Sequence, residues 1–328
     1  MNFPVPCKKW DARAAQPGGL LRIIRLAAAL GLCGALAACS VVKLAYNQAP
    51  ELAYLQLDGY FDFNDAQAGR VREELAQVQH WHRRTQLPAY SEFLQKWQGL
   101  VAGELSAAQV CGAVTEARGR LLLISDRMQP VVAELAPTLE PQQLKHLERK
   151  FARLNRDYER DFIAGTPAAR LQKRVDKAVE RAERLYGSLG EPQREVLRSR
   201  MAQSVFDARL ALTEYQRRQQ DALLTLTPLI GGAASAGQAR PAIRDYLERS
   251  VTSPNPVYRS YQEQFQRDNC ATLAQLHNST TPAQRAKAVE TLGNYARDFD
   301  VLAAQASAPK GGVAQGRLPQ LWAWAPEL

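Results

Sequence analysis

Residues 144–162 read LKHLERKFARLNRDYERDF. Leu144, Leu147, Phe151, Leu154, Tyr158 and Phe162 stand 3, 4, 3, 4 and 4 apart, which draws one apolar stripe along a helix. Nearly every other position is charged or polar. The stripe must therefore meet another apolar surface while the opposite face meets water. Gly165 and Pro167 stop this helix and start the next. Leu171, Val175, Ala178, Ala182 and Leu185 then repeat the stripe as far as Gly187.

The same periodicity runs outward in both directions, with no sustained alternation of period two. Residues 190–227 contain no glycine after Gly190 and no proline after Pro192. They read as one helix of about 57 Å at 1.5 Å per residue. Thr227-Pro228 and the Gly/Ala/Ser run 231–237 mark a loop, a possible hinge at 228–240. Helices are expected around 239–250, 255–277 and 282–304, with Ser253 capping the second and Pro254 in its first turn. Upstream, Pro50 opens a helix ending near Gly59, whose aromatics Tyr54, Tyr60, Phe61 and Phe63 dock onto the body. The expectation is an all-α, elongated bundle of long helices without a sheet, spanning 49–304. A tether at 39–48 precedes it, and a disordered tail at 305–328 carrying Trp322 and Trp324 follows.

Five windows share one local pattern: a cap candidate followed three residues later by Gln. They are Asn64/Gln67, Ser106/Gln109, Glu140/Gln143, Gly190/Gln193 and Thr281/Gln284. In a capping box the cap side chain accepts from the third helical N–H, and Gln there accepts from the cap's own N–H. Leu105 with Val110, and Leu139 with Leu144, have the staple spacing. Gly190 has no side-chain acceptor and Glu140 is a weak cap, so two boxes are incomplete. The intervals of 42, 34, 50 and 91 residues are not those of a strict solenoid. Five ordinary helix starts would explain the pattern. It also resembles the Leu-Thr-x-x-Gln motif of the Spy/CpxP-like periplasmic proteins, in these windows alone.

At the start of the chain, basic residues up to Arg25 precede an apolar run from Leu26 to Leu36, and Leu36-Ala37-Ala38-Cys39 follows. Eleven apolar residues are too few to span a bilayer of ~30 Å. The order resembles a bacterial lipoprotein signal, which implies a leader at 1–38 and a lipid anchor on Cys39. Ser40 after the cysteine implies the periplasmic face of the outer membrane. Without the leader the chain keeps 37 Lys and Arg against 32 Asp and Glu. Cys111 and Cys270 would remain, 159 residues apart. An oxidising compartment favours a bridge over two separate thiols.

A wider resemblance covers nearly the whole chain. Tyr46-Asn47, Leu57-Asp58-Gly59-Tyr60-Phe61-Asp62, Gln67, His80-Trp81-His82-Arg83-Arg84-Thr85, Leu87-Pro88 with Tyr90, and Thr281-Pro282-Ala283-Gln284 are similar to an uncharacterised lipoprotein family, domain of unknown function 6279. The resemblance implies a lipid-anchored helical protein and transfers no catalytic residue.

Chemistry-bearing patterns are sparse. His80 and His82 point about 200° apart on a helix, and the other two histidines, His146 and His277, are distant in sequence, so no metal set is expected. There is no nucleophile elbow, phosphate loop or dinucleotide fingerprint. Enzymatic activity and a cofactor are therefore not expected. Residues 145–218 carry 18 Lys and Arg against 11 Asp and Glu. Arg149, Arg153, Arg156 and Arg160 form one basic row; Lys173, Lys177 and Arg181 form another. Like charges four apart weaken a helix. Either carboxylates from another helix or an anionic ligand must offset them. In the cell envelope, nucleic acid is a poor partner. The sequence points to non-enzymatic binding of envelope proteins or anionic envelope components, as in a membrane-tethered chaperone. The alternatives are an assembly lipoprotein docking one envelope partner, and a hydrolase of envelope polymers.

Overall fold

A computed structural model describes residues 41–306. The chain is helical between short turns, and no strand occurs among the described residues. The all-α expectation holds. Cys39, and the tail beyond residue 306 with Trp322 and Trp324, lie outside the described residues. α1 (Val41–Asn47) lies in the stretch read as a tether and belongs to a unit of its own. The body begins at Gln48.

α2 (Ala49–Phe61) runs two residues past Gly59. Asp62 ends it in the left-handed region (φ 52°), with its N–H bonded to Asp58 O at 2.7 Å. Tyr54 is buried with Ala68, Val71 and Leu75 of the next helix.

Six spans make up the rest. The first is α3 (Asp65–Thr85) and α4 (Leu87–Leu100), joined through Gln86. The second is α5 (Ala107–Leu135), closed by a 3-10 turn at Ala136–Thr138. The third is α6 (Pro141–Tyr158), a π-turn at Glu159–Ile163, and α7 (Pro167–Tyr186). The fourth is α8 (Glu191–Gln203) and α9 (Ala208–Leu226). The fifth is α10 (Ala236–Val251) and α11 (Pro256–Asn278), and the sixth is α12 (Pro282–Gln305).

Every span starts at a box. Besides the five windows, Ser235 and Gln238 form a complete sixth box at the start of α10. With it the cap intervals become 42, 34, 50, 45 and 46 residues, a loose repeat. The stretch read as a hinge is thus partly helical. Its glycines, Gly231 and Gly232, take φ values of 66° and 73° and donate to Leu139 O and Pro137 O. At Glu140 and Gly190 only half a box forms: Gln143 and Gln193 accept the cap N–H at 2.9 and 2.7 Å, and their own N–H groups bond to cap carbonyls.

The apolar core shows how the spans alternate. Phe63, Leu139, Leu144 and Ala239, at the starts of spans one, three and five, share one cluster. Leu105, Val110, Leu189, Leu197 and Ala288, at the starts of spans two, four and six, share another. The spans therefore run up and down between two ends. α5 lies antiparallel to α10 and α11, with Cys111 bonded to Cys270 (Sγ–Sγ 2.08 Å) near one end and Glu134 facing Arg240 (3.9 Å) near the other.

The box glutamines bind these ends. Gln67 and Gln143 form a reciprocal amide pair, Nε2 to Oε1 at 3.1 and 2.7 Å, and both are buried. Gln193 and Gln284 do the same at 2.7 and 3.2 Å. Boxes one and three, and boxes four and six, are joined alike, while Gln109 and Gln238 stay exposed. The glutamine pairing thus recurs in the same order, first box to third and fourth to sixth.

Two further expectations are corrected. Residues 190–227 are not one helix: the chain is extended from Ser204 to Asp207. Asp207 Oδ1 caps α9 through the N–H groups of Arg209 and Leu210. Val205 N–H donates to Asp268 Oδ2 and Asp207 N–H to Tyr261 Oη, so α11 satisfies the opened backbone. Ser253 is not the cap of α11 and Pro254 is not in its first turn. Asn255 caps that helix and Pro256 opens it, while Ser253 is buried and donates to Glu214 Oε2 at 3.0 Å.

Candidate functional site

The third and fourth spans are neighbours, and both break midway. Span three ends α6 in the π-turn, where Ala164 N–H reaches Glu159 O at 2.8 Å. It restarts only at the Thr166 cap. Gly165, at φ 83°, makes the reversal, and Arg170 Nη1 donates to Ile163 O and Gly165 O at 3.1 and 2.6 Å. Span four breaks at Ser204–Asp207. Extended backbone cannot pack as a helix does, and a cleft of about 670 Å³ opens between the two breaks. A second cavity of about 470 Å³ shares Ile163 and Arg209 with it.

Apolar and charged side chains line the cleft together. Phe162, Ile163, Leu171, Met201, Val205 and Phe206 line it with Arg170, Arg174 and Arg209, and with one carboxylate, Asp207, whose Oδ1 is taken up in capping α9. The Arg174 guanidinium lies 4.3 Å over the Phe206 ring, and its one hydrogen bond goes to Met201 O at 3.4 Å. Among the described residues no carboxylate comes within ion-pair distance of it. Desolvation lowers its pKa accordingly, since burial without a counter-charge penalises the cation. Behind Phe206 the aromatics continue through Phe265 and Tyr261, with centroids 5.6 and 6.0 Å apart. Tyr158, tilted against Phe162 with ring centroids 4.7 Å apart, has its pKa pushed up to about 12 by burial, reinforced by Tyr261 and Tyr258.

The two basic rows converge near this cleft. Arg160 and Lys173 meet on Asp161: Arg160 spans both carboxylate oxygens at 3.4 Å, and Lys173 reaches Oδ1 at 3.3 Å. Desolvation pushes the Asp161 carboxyl up, but hydrogen bonds from both cations outweigh it and hold it low. Lys177 Nζ sits 4.9 Å over the Phe162 ring. Arg149, Arg153, Arg156 and Arg181 are exposed, and no ion pair joins them to a carboxylate among the described residues. Carboxylates thus offset only part of the repulsion read from the sequence.

The histidines do not gather. His82 Nε2 faces Tyr90 Oη at 3.3 Å, and His146 Nε2 faces Gly59 O at 3.4 Å. His277, almost wholly buried, receives Tyr186 Oη–H on Nδ1 at 3.0 Å and donates from Nε2 to Gly103 O at 2.8 Å. No group of His, Cys, Asp and Glu among the described residues is placed to hold a metal. Arg174, Phe206 and Arg209 were not singled out by the sequence. Their signal was the break at 204–207, which no glycine or proline announces.

A model of a family of unknown function, DUF6279, matches residues 59–259. The chain belongs to this family. The DUF6279 match contains both breaks and every residue of the cleft. Neither a curated protein nor a solved structure matches the chain.

Proposed function

We propose that this DUF6279 protein is a non-enzymatic binding protein, anchored through lipid on Cys39 at the periplasmic face of the outer membrane. It holds anionic envelope components or acidic segments of envelope proteins, in the manner of a tethered chaperone. The observation that carries the reading is the open cleft with a half-buried, unpaired Arg174 on an aromatic floor. A buried cation without a carboxylate is costly, and an anionic partner would offset that cost. The exposed rows Arg149, Arg153, Arg156 and Arg181 would attract such partners over a Debye length of about 8 Å at physiological salt. The leader pattern ending in Cys39 supports the anchor and the compartment.

The test is photo-crosslinking in cells from Ala168, an exposed residue of the cleft wall. Many adducts support the chaperone-like reading, and one dominant protein adduct points to an assembly role. No adduct at this position refutes the cleft as a binding site. Metabolic labelling with an alkyne fatty acid should mark the chain and fail to mark Cys39→Ala; an unlabelled wild-type chain overturns the anchor.

A further inference from the structure

The cleft combines two features that one ligand class satisfies together. Arg174 and Arg209 supply cations: the first has a single hydrogen bond, to a backbone carbonyl, and the second has no side-chain partner among the described residues. Phe162, Leu171, Met201 and Phe206 supply an apolar wall beside them. A small inorganic anion would leave that wall wet. A neutral hydrocarbon would leave the half-buried guanidinium uncompensated.

We propose that the cleft takes a long-chain anion, its carboxylate or phosphate on Arg174 and Arg209 and its acyl chain along Phe162, Leu171, Met201 and Phe206. This deepens, and rests on, the reading of the cleft as a binding site. The volume suits it: about 670 Å³ exceeds the roughly 350 Å³ of a twelve-carbon chain at about 30 Å³ per methylene, near the share of one water in the liquid. The guanidinium fork matches two oxygens of a carboxylate or phosphate at once. Its face is already held on Phe206, so little ordering remains to be done when the head group arrives.

The experiment titrates the full chain, carrying Cys39→Ala so that no acyl group of its own competes, by calorimetry below micelle concentration. Dodecanoate and dodecyl phosphate are the probes, with dodecanol and inorganic phosphate as the halves. We expect at least one amphiphile to bind, with dodecanol and phosphate each at least tenfold weaker. Binding by dodecanoate alone assigns a fatty acid as the source of the head group; binding by dodecyl phosphate alone assigns a phospholipid-like one. Arg174→Gln should weaken binding at least tenfold, and so should Ala168→Glu, which sets a like charge on the cleft wall. Arg244→Gln, an exposed arginine of α10 outside both the cleft and the basic rows, should change nothing. Should Arg174→Gln fail to fold, Ala168→Glu decides. Absence of binding by both amphiphiles, equal binding of dodecanol, or indifference to the cleft variants overturns the inference. If the amphiphiles fail while Ala168 still crosslinks to proteins in cells, the binding-site reading stands and this inference falls.

Discussion

Replacing Gln143 by Leu separates a cap from a joint. Gln143 Oε1 accepts from Glu140 N–H at 2.9 Å, and Nε2 reaches Phe61 O, Asp62 O and Gln67 Oε1 at 3.0, 3.1 and 2.7 Å. Leucine removes all of these. Gln67 keeps other partners, because its Oε1 still accepts from Asn64 N–H and its Nε2 still donates to Thr138 O. The carbonyls of Phe61 and Asp62 lose an amide donor. Two partly buried acceptors left without a donor cost about 1–3 kcal/mol each. Burying leucine offsets part of that, so the loss should be about 3 kcal/mol. Gln109 is the comparison, because it is exposed and bonds only within its own box, to Ser106. Gln109→Ala should cost about 1 kcal/mol or less, as an ordinary cap does. Urea unfolding of the oxidised protein measures both. Gln67→Leu/Gln143→Leu should be less destabilised than the sum of the singles, since a pair in direct contact couples. Equal costs for Gln143→Leu and Gln109→Ala, or strict additivity in the double variant, would refute the joint.

Further outcomes follow from other sites. Burial lowers the pKa of His277, so the unfolded chain binds its proton more readily. Stability should be full above the ordinary value of about 6.5 and fall as pH drops below it; thermal melts of His277→Gln should lack that component. The 159-residue ring closed by Cys111 and Cys270 should be worth at most about 4–5 kcal/mol on the loop-entropy argument, read as the shift in urea midpoint on reduction. Neither thiol should react with a maleimide until the bridge is reduced and the chain unfolded. Desolvation pushes the Glu214 carboxyl up, but hydrogen bonds from Arg217, Arg218 and Ser253 overcome it. Glu214→Leu should cost about 3 kcal/mol, because Arg218 loses its carboxylate and Ser253 its acceptor while Arg217 keeps Asp221; a change under about 1 kcal/mol in unfolding free energy would contradict this.

Local chemistry was readable where the chain satisfies itself. Asn64, Ser106 and Thr281 announce their helices because a cap and its glutamine lie three residues apart. The break at Ser204–Asp207 was not readable, because its partners, Tyr261 and Asp268, lie more than fifty residues away. Ser253 and Asn255 both precede a proline in Ser253-Pro254-Asn255-Pro256. Only the buried Glu214 carboxylate, claiming the serine, decides between them. The basic rows were visible as spacing, but the meeting of Arg160 and Lys173 on Asp161 depends on a reversal at Gly165. The cleft is the product of two such breaks. The part of it that spacing cannot show is Arg174 lying over Phe206.

The packing of α4 on α12 also sets a clock. Ser91 Oγ–H donates to Ala296 O and Gln98 Nε2 to Val289 O, across 205 and 191 residues of chain. At Gly293 the helices approach so closely that a methyl group would fall 2.5 Å from Gln98 Nε2. Trp97 and Leu100 leave the ribosome long before α12 exists. At 5–20 residues per second the wait is about 10–40 s. Throughout that interval the first span lacks the surface it packs on, and the face of α4 that α12 will cover stays open to water or to a passing chaperone.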